Sequence, residues 1–408
     1  MMRSMFAGVS GLRSHQTMMD VVGNNIANVN TAGFKASQVT FSESLSQILR
    51  GASGTTGERA GTNAAQIGLG VKVSQIDSVF TQGASQVTGR NTDLAVQGEG
   101  FFVVESAGEM TYTRLGSFIF DSEGTLSTST GGAVQGWVAD ATGVVDINAS
   151  IQDIQIPLGL VIDPIETTQV AIGGSLSSDA AIGDISRTSI QVIDSLGTSH
   201  EATFTFTKTN VNEWTVSAEV GGSPATPTPA VMTFDTAGQL TSATTLSVAG
   251  FTPPGADPIN FDIDLASNLP IVQFGGEPTM EAKAKDGQAI GYLIGYSVGD
   301  DGLIEGQFSN GQNKALGQVA TATFANPGGL VRQGDSAFRT SVNSGEPLIG
   351  VAGTGNRGLL SSGTLEMSNV DLSREFTNLI VAQRGFQANS RVITTTDELL
   401  SDLVNIKR

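Results

Sequence analysis

The sequence predicts a mainly β protein with paired α-helical termini, and three observations carry that expectation. Across residues 368–408 an apolar stripe runs at helical spacing: Leu372, Leu379, Phe386, Ile393 and Leu400 recur every seven residues, with Phe376, Ile380, Ala382, Leu403 and Val404 filling neighbouring positions. The first thirty residues repeat that period with Met5, Leu12, Met19 and Ile26, while Val22 and Val29 follow three places after two of them. Between the ends, short runs rich in β-branched and aromatic residues are broken by turns, in a chain with 51 Gly and only 15% charged residues. The middle offers no helical layer for the ends to join, so the two helices are expected to cover each other. The expected architecture is a coiled-coil-like inner domain of terminal helices (1–30 with 368–408), a discontinuous inner β domain (71–144 with 285–358) and a continuous outer β domain (145–284).

Taken in order, the first helix should stop within Gly23–Lys35. Asn24, Asn25 and Asn28 offer local side-chain to backbone bonds, and Gly33 tolerates a positive φ ahead of Phe34. The stretch MMRSMFAGVSGLRSHQ has no continuous apolar run and no small-residue cleavage site after it, so a cleaved secretory signal is not expected. No segment reaches the roughly eighteen apolar residues needed to span a bilayer. Residues 31–70, like 359–367, read as linker, with Phe41, Leu45, Ile48 and Leu49 suggesting one short helical turn before the Ser, Gly and Thr of Gly51–Gly61.

From Val71 the alternation is that of strands. One turn grammar recurs, at Asp121–Gly124, Asp194–Gly197 and Asp235–Gly238: Asp at the first position bonds back to the turn and Gly at the fourth takes the positive φ. The hairpin signal is cleanest in IDSLGTSHEATFTFTKTNVNEWTV, residues 193–216, inside the outer domain. The final helix has Ser368, Asn369 and Asp371 as candidate N-caps, and Lys407 and Arg408 suit its C-terminal dipole. From Asp371 to Lys407 it would run roughly 55 Å at about 1.5 Å per residue, too long for a small local core to cover.

Composition excludes several function classes. A net charge of -18 leaves no basic patch to release counterions from nucleic acid. The absence of cysteine removes disulfides, thiolate metal sites and thiol catalysis. Gly353–Gly358 matches G-x-G-x-x-G, but Leu-Leu-Ser-Ser follows it where a phosphate-binding helix would have to begin. The two histidines, His15 and His200, fall in a helix and a strand-turn context, which disfavours a shared triad or metal site. Asp300-Asp301 reads as a solvated turn beside Gly302, and no loop has an EF-hand pattern. No catalytic residue, cofactor or metal is expected.

GNNIANVNTAGFK, residues 23–35, resembles the N-terminal signature shared by the rod, hook and hook-associated subunits of the bacterial flagellum. SNVDLSREFTNLIVAQRGFQANSRVITTTDELLSDLVNIKR, residues 368–408, is similar to the matching C-terminal signature in its hook form. GLGVK (68–72), TDLAVQGEGFFVV (92–104), YTRLGSFIFDSEGTL (112–126) and NKALGQVATATFANPGG (313–329) resemble hook segments too. One piece departs: Ser46–Ile67 resembles the loop of distal rod proteins.

The resemblance implies a hook subunit, a self-assembling helical homopolymer exported unfolded by the flagellar type III apparatus to the cell surface. It further implies distal rod, hook cap and hook-filament junction proteins as neighbours, with no nucleic acid and no membrane insertion. The assembly residues would be Met5, Leu12, Met19, Val22, Ile26, Leu372, Phe376, Leu379, Phe386, Ile393, Leu400 and Leu403, and the family turn Asn24, Asn25, Asn28, Gly33 and Phe34. Two other readings stay open. A distal rod subunit fits the insert but not the large middle domain, and a β-rich carbohydrate-binding or hydrolytic protein fits the composition but not the paired helices.

Overall fold

Two helices form where the periodicity places them, α1 (Met2–Ala27) and α2 (Leu372–Ile406). The structure, a computed structural model, describes residues 2–55, 60–157, 159–266, 270–284 and 286–406. Met1, Lys407 and Arg408, the last two expected at the helix end, lie outside those residues. The cap of α2 is Asp371, whose Oδ1 accepts the backbone N–H of Ser373 at 2.8 Å and of Arg374 at 3.3 Å. Gly8 lies against Ile393, Gly11 against Asn389 and His15 against Gly385, so the helices pack antiparallel.

Residues 31–70 differ from the linker and helical turn expected there. β1 (Ser37–Glu43) pairs antiparallel with β4 (Val71–Ser78), and β2 (Ser46–Arg50) pairs with β3 (Ala65–Gly68), so the segment is one long hairpin. Phe41, Leu45 and Ile48 have helical spacing, but a lone helical turn is costly to nucleate. Val71, Val73 and Ile76 supply a partner strand instead. Residues 359–367 are likewise paired: Leu359–Ser362 joins Leu94–Gln97, and Thr364–Glu366 joins Ser85–Val87.

The chain forms two units, the first of Met1–Pro157, Tyr296–Glu305 and Ala315–Arg408, the second of Leu158–Gly295 and Gly306–Lys314. Strand pairing explains why the division falls later than residue 145. Gln152–Asp153 pairs with Gln135 and Gly136 of the first unit, whereas Val161–Ile162 pairs with Gly291 and Tyr292 of the second. The core of the first unit gathers aromatics at edge-to-face angles, with Phe101 beside Phe80, Phe324 and Phe338, and Tyr112 4.8 Å from Phe324.

In the second unit a meander of Ile185–Ile193, Ser199–Asn210 and Glu213–Val220 faces a second sheet built on Gln169–Ser177. Inward residues alternate along each strand, and Phe204, Phe206, Trp214, Leu246, Phe261 and Ile263 share one buried core. The hairpin expected at 193–216 is present within this meander. Each expected Asp turn is also present. Asp121 Oδ1 accepts two backbone N–H groups, as do Asp194 and Asp235, and Gly124, Gly197 and Gly238 have φ of 82°, 84° and 77°. The glycine-rich loop at 353–358 runs into a strand, not a helix.

Candidate assembly surface

The helix pair is joined by its small residues. On α1 the buried positions are Gly8, Gly11, Ser14, Val22 and Asn25, and on α2 Ala382, Thr396 and Glu375 are buried. A Cβ at Gly11 would stand 2.6 Å from Asn389 Oδ1, and one at Gly385 2.5 Å from the His15 ring, so these glycines set the approach of the backbones.

The residues expected on the stripe lie mostly along the borders of this seam. Val22 is buried. Met5, Leu12, Met19 and Ile26 are half-buried, as are Leu379, Phe386, Ile393 and Leu400, while Leu372 and Phe376 are exposed. Leu403 falls outside the residues whose side chains are described. The spacing of Gly8, Gly11, Ala382 and Gly385 was the signal for the true centre, and a count of apolar residues passes over it.

Large apolar side chains are left uncovered on the same two helices. Met2, Phe6 and Val9 are exposed on α1, and Leu372, Phe376, Ile380, Val381, Val392 and Leu399 on α2. At about 100° per residue, Leu372, Phe376 and Ile380 fall on one side of the buried face and Val381, Val392 and Leu399 on the other. Exposed apolar surface of this extent marks an interaction site.

The turn after α1 anchors this pair to the strands. Asn25, wholly buried, donates from Nδ2 to Ser37 O at 2.8 Å and accepts the Ser37 N–H at 2.9 Å. Asn28 donates to Asn24 O at 2.9 Å and accepts from the Thr31 hydroxyl at 3.1 Å. Gly33 has φ of 69°, and a Cβ there would meet Leu115 N at 2.7 Å. Phe34 lies under the Arg332 guanidinium, 5.0 Å from its ring centre.

Next in the chain, Lys35 enters a buried ionic clasp. Its Nζ donates to Glu366 Oε1 at 2.6 Å and to Thr81 O at 2.8 Å, while Arg114 Nη1 reaches Glu366 Oε2 at 3.4 Å. Gly83 N–H completes the carboxylate at 2.8 Å. All three charged side chains are 1% exposed. Burial pulls Lys35 and Arg114 below their ordinary values, against the opposing pull of Glu366. Asn369 adds a second tie, accepting from Ala36 N–H at 2.7 Å and donating to Val79 O at 2.8 Å. None of these long-range partners was visible in the sequence.

A flagellar hook protein FlgE of Treponema pallidum is 39% identical to this chain over the full length of both. The chain belongs to the flagellar hook protein family. Models of that family match in chain order: the basal body rod protein model at 5–35, the FlgE/F/G D1 domain at 95–175, the FlaE D2 domain at 177–288 and the FlgEFG C-terminal model at 361–406. The first and last fall on the two ends that the clasp and seam bring together. A basal-body rod protein FlgG of Bacillus subtilis is 31% identical over the full length of both chains. The crystal structure of the Helicobacter pylori hook protein FlgE2 aligns with 69% of this chain and 99% of its own at a TM-score of 0.51 and 14% identity, a likeness of fold. Hook family membership makes the exposed helix flanks the natural place to look for assembly contacts. Among the described residues no group of three or more His, Asp or Glu is placed to hold a metal ion.

Proposed function

We propose that this chain is the subunit of a flagellar hook that polymerises with itself into a curved, flexible tube carrying torque from rod to filament. One observation supports this above the others: the helix pair meets through small residues and, among the described residues, leaves nine large apolar side chains of α1 and α2 exposed. Fully burying one such side chain contributes about 1.5–3 kcal/mol. Copies of the same helices can cover them through heterologous, head-to-tail contacts, which generate a helical assembly.

In this reading the terminal helices line the tube and the β units lie outside it, sliding on their neighbours as it bends. The role is structural and not enzymatic. The subunit leaves the cell unfolded through the flagellar type III apparatus and reaches the cell surface. Distal rod, hook cap and hook-filament junction proteins are its neighbours. The hairpin of β2 and β3 and the FlgG relative favour a second reading, a distal rod subunit. Immunogold electron microscopy of detergent-released flagella, with antibody against residues 145–284, separates the two. Label on the short curved segment supports the hook, whereas label on the straight segment below it assigns the chain to the rod.

A further inference from the structure

Glu375 sits one turn into α2, is 8% exposed, and its Oε2 has no hydrogen-bond partner. A buried carboxylate oxygen left unpaired is costly, and native structures seldom keep one without a use. Glu375 lines a pocket of about 200 Å³ together with Met18, Val22, Val39, Val79 and Asp371. That volume far exceeds the roughly 30 Å³ share of one water. Arg374, which lines the same pocket, makes no ion pair among the described residues, and no cation among them pairs with Glu375.

The other end of the helix pair supplies a complement. The contacts Gly8–Ile393, Gly11–Asn389 and His15–Gly385 set the register, and α1 runs out opposite about residue 398 of α2. Residues 399–406 therefore extend past Met2, roughly 12 Å of helix at about 1.5 Å per residue. This overhang carries exposed Leu399 and leads in sequence to Lys407 and Arg408. In a chain of net charge -18, two adjacent cations that follow α2 in sequence and an unpaired buried carboxylate near its first turn are complementary in charge. The exposed Leu372, Phe376 and Ile380 run from the pocket along the same helix, an apolar track for an incoming helix end.

We propose that the pocket beside Glu375 receives Lys407 and Arg408 from a second copy of this chain, so that helix pairs join end to end. The contact rests on the assembly reading above. It is heterologous, so each copy offers one pocket and one basic end, and the joining continues along a strand of subunits. A shift of roughly 48 Å along the helix axis, about 32 residues, brings one copy's Lys407 level with the other's pocket.

Zero-length carbodiimide coupling of unmodified tubes, assembled from a mixture of isotopically heavy and light copies, tests this directly. The expected product is an amide between Glu375 and Lys407 joining heavy to light peptides, present in tubes and absent from monomer. Tubes in which other carboxylate–lysine pairs couple while Glu375 stays free, couples elsewhere, or couples only within one copy overturn the contact and leave the hook reading standing. No tube at all overturns both. As a second measurement, Glu375→Lys should raise the critical concentration for assembly about tenfold or more, and Lys407→Glu with Arg408→Glu in the same chain should restore it. Failure of that restoration, with the single variant normally folded, also overturns the contact.

Discussion

Removing Glu366 should destabilise one unit and spare the other. In Glu366→Ala, Lys35 and Arg114 lose the buried carboxylate they pair with, and the Gly83 N–H loses its acceptor. Taking one partner from a buried charge cluster costs about 3–5 kcal/mol, because what remains is buried charge without compensation. With a urea dependence of about 3 kcal/mol per molar, the midpoint of the first unit should fall by roughly 1–2 M. The chain has two tryptophans, Trp137 buried in the first unit and Trp214 buried in the second, so fluorescence of Trp214→Phe and Trp137→Phe backgrounds follows each unit separately. The Trp137 transition should move and the Trp214 transition should stay. Equal shifts of both, or a Trp137 shift under about 0.3 M, would refute the view that the clasp holds the first unit together.

Other perturbations have equally definite outcomes. Burial acts to raise the pKa of Asp194, but hydrogen bonds from His200 and from the Thr198 and Leu196 N–H groups outweigh it and hold the carboxyl below its ordinary value of 3.8. Its stabilising contribution is therefore present above that value and lost as pH falls through the lower folded value, so Asp194→Asn should flatten the acid limb of Trp214-detected stability. Gly11→Leu should make an isolated α1 peptide more helical, by about 1 kcal/mol of propensity, yet cost about 1–3 kcal/mol at the seam through its clash with Asn389, read as loss of tube assembly. Gly33→Ala should destabilise the first unit by about 1–2 kcal/mol or more, since the residue has φ of 69° and faces Leu115 N, and Trp137 fluorescence reports it. Phe376→Ser combined with Ile380→Ser removes about 3–6 kcal/mol of apolar burial on assembly, so sedimentation should show a critical concentration raised more than a hundredfold with both monomer transitions unchanged.

What could be read from the sequence was what neighbouring residues decide between themselves. The turns at Asp121, Asp194 and Asp235 are settled within four or five residues by one carboxylate and one glycine, and all were legible. The helices showed through their apolar period. Their seam did not, because Gly8, Gly11, Gly385 and Ser14 contribute closeness and carry no hydropathy signal, so the heptad of Leu379, Phe386 and Ile393 drew attention to its borders. The hairpin from β1 to β4 was hidden by the helical spacing of Phe41, Leu45 and Ile48, which only the partner strand Val71–Ser78 overrules. The clasp was illegible for a simpler reason: nothing local to Lys35 points to Glu366.

That separation also orders events in time. Lys35 and Glu366 stand 331 positions apart, and closing so long a loop in an unfolded chain costs about 3 kcal/mol more entropy than closing a hairpin of a dozen residues. Contacts of such high order form late, after nearer strand pairings have shortened the path between them. Glu366 lies near the C-terminal end of the sequence, so a chain emerging from its N-terminus can begin to build β structure long before the clasp is possible. Until then α1 has no α2 to lie against, and its first possible partner is whichever helix is already standing at the place where the chain arrives.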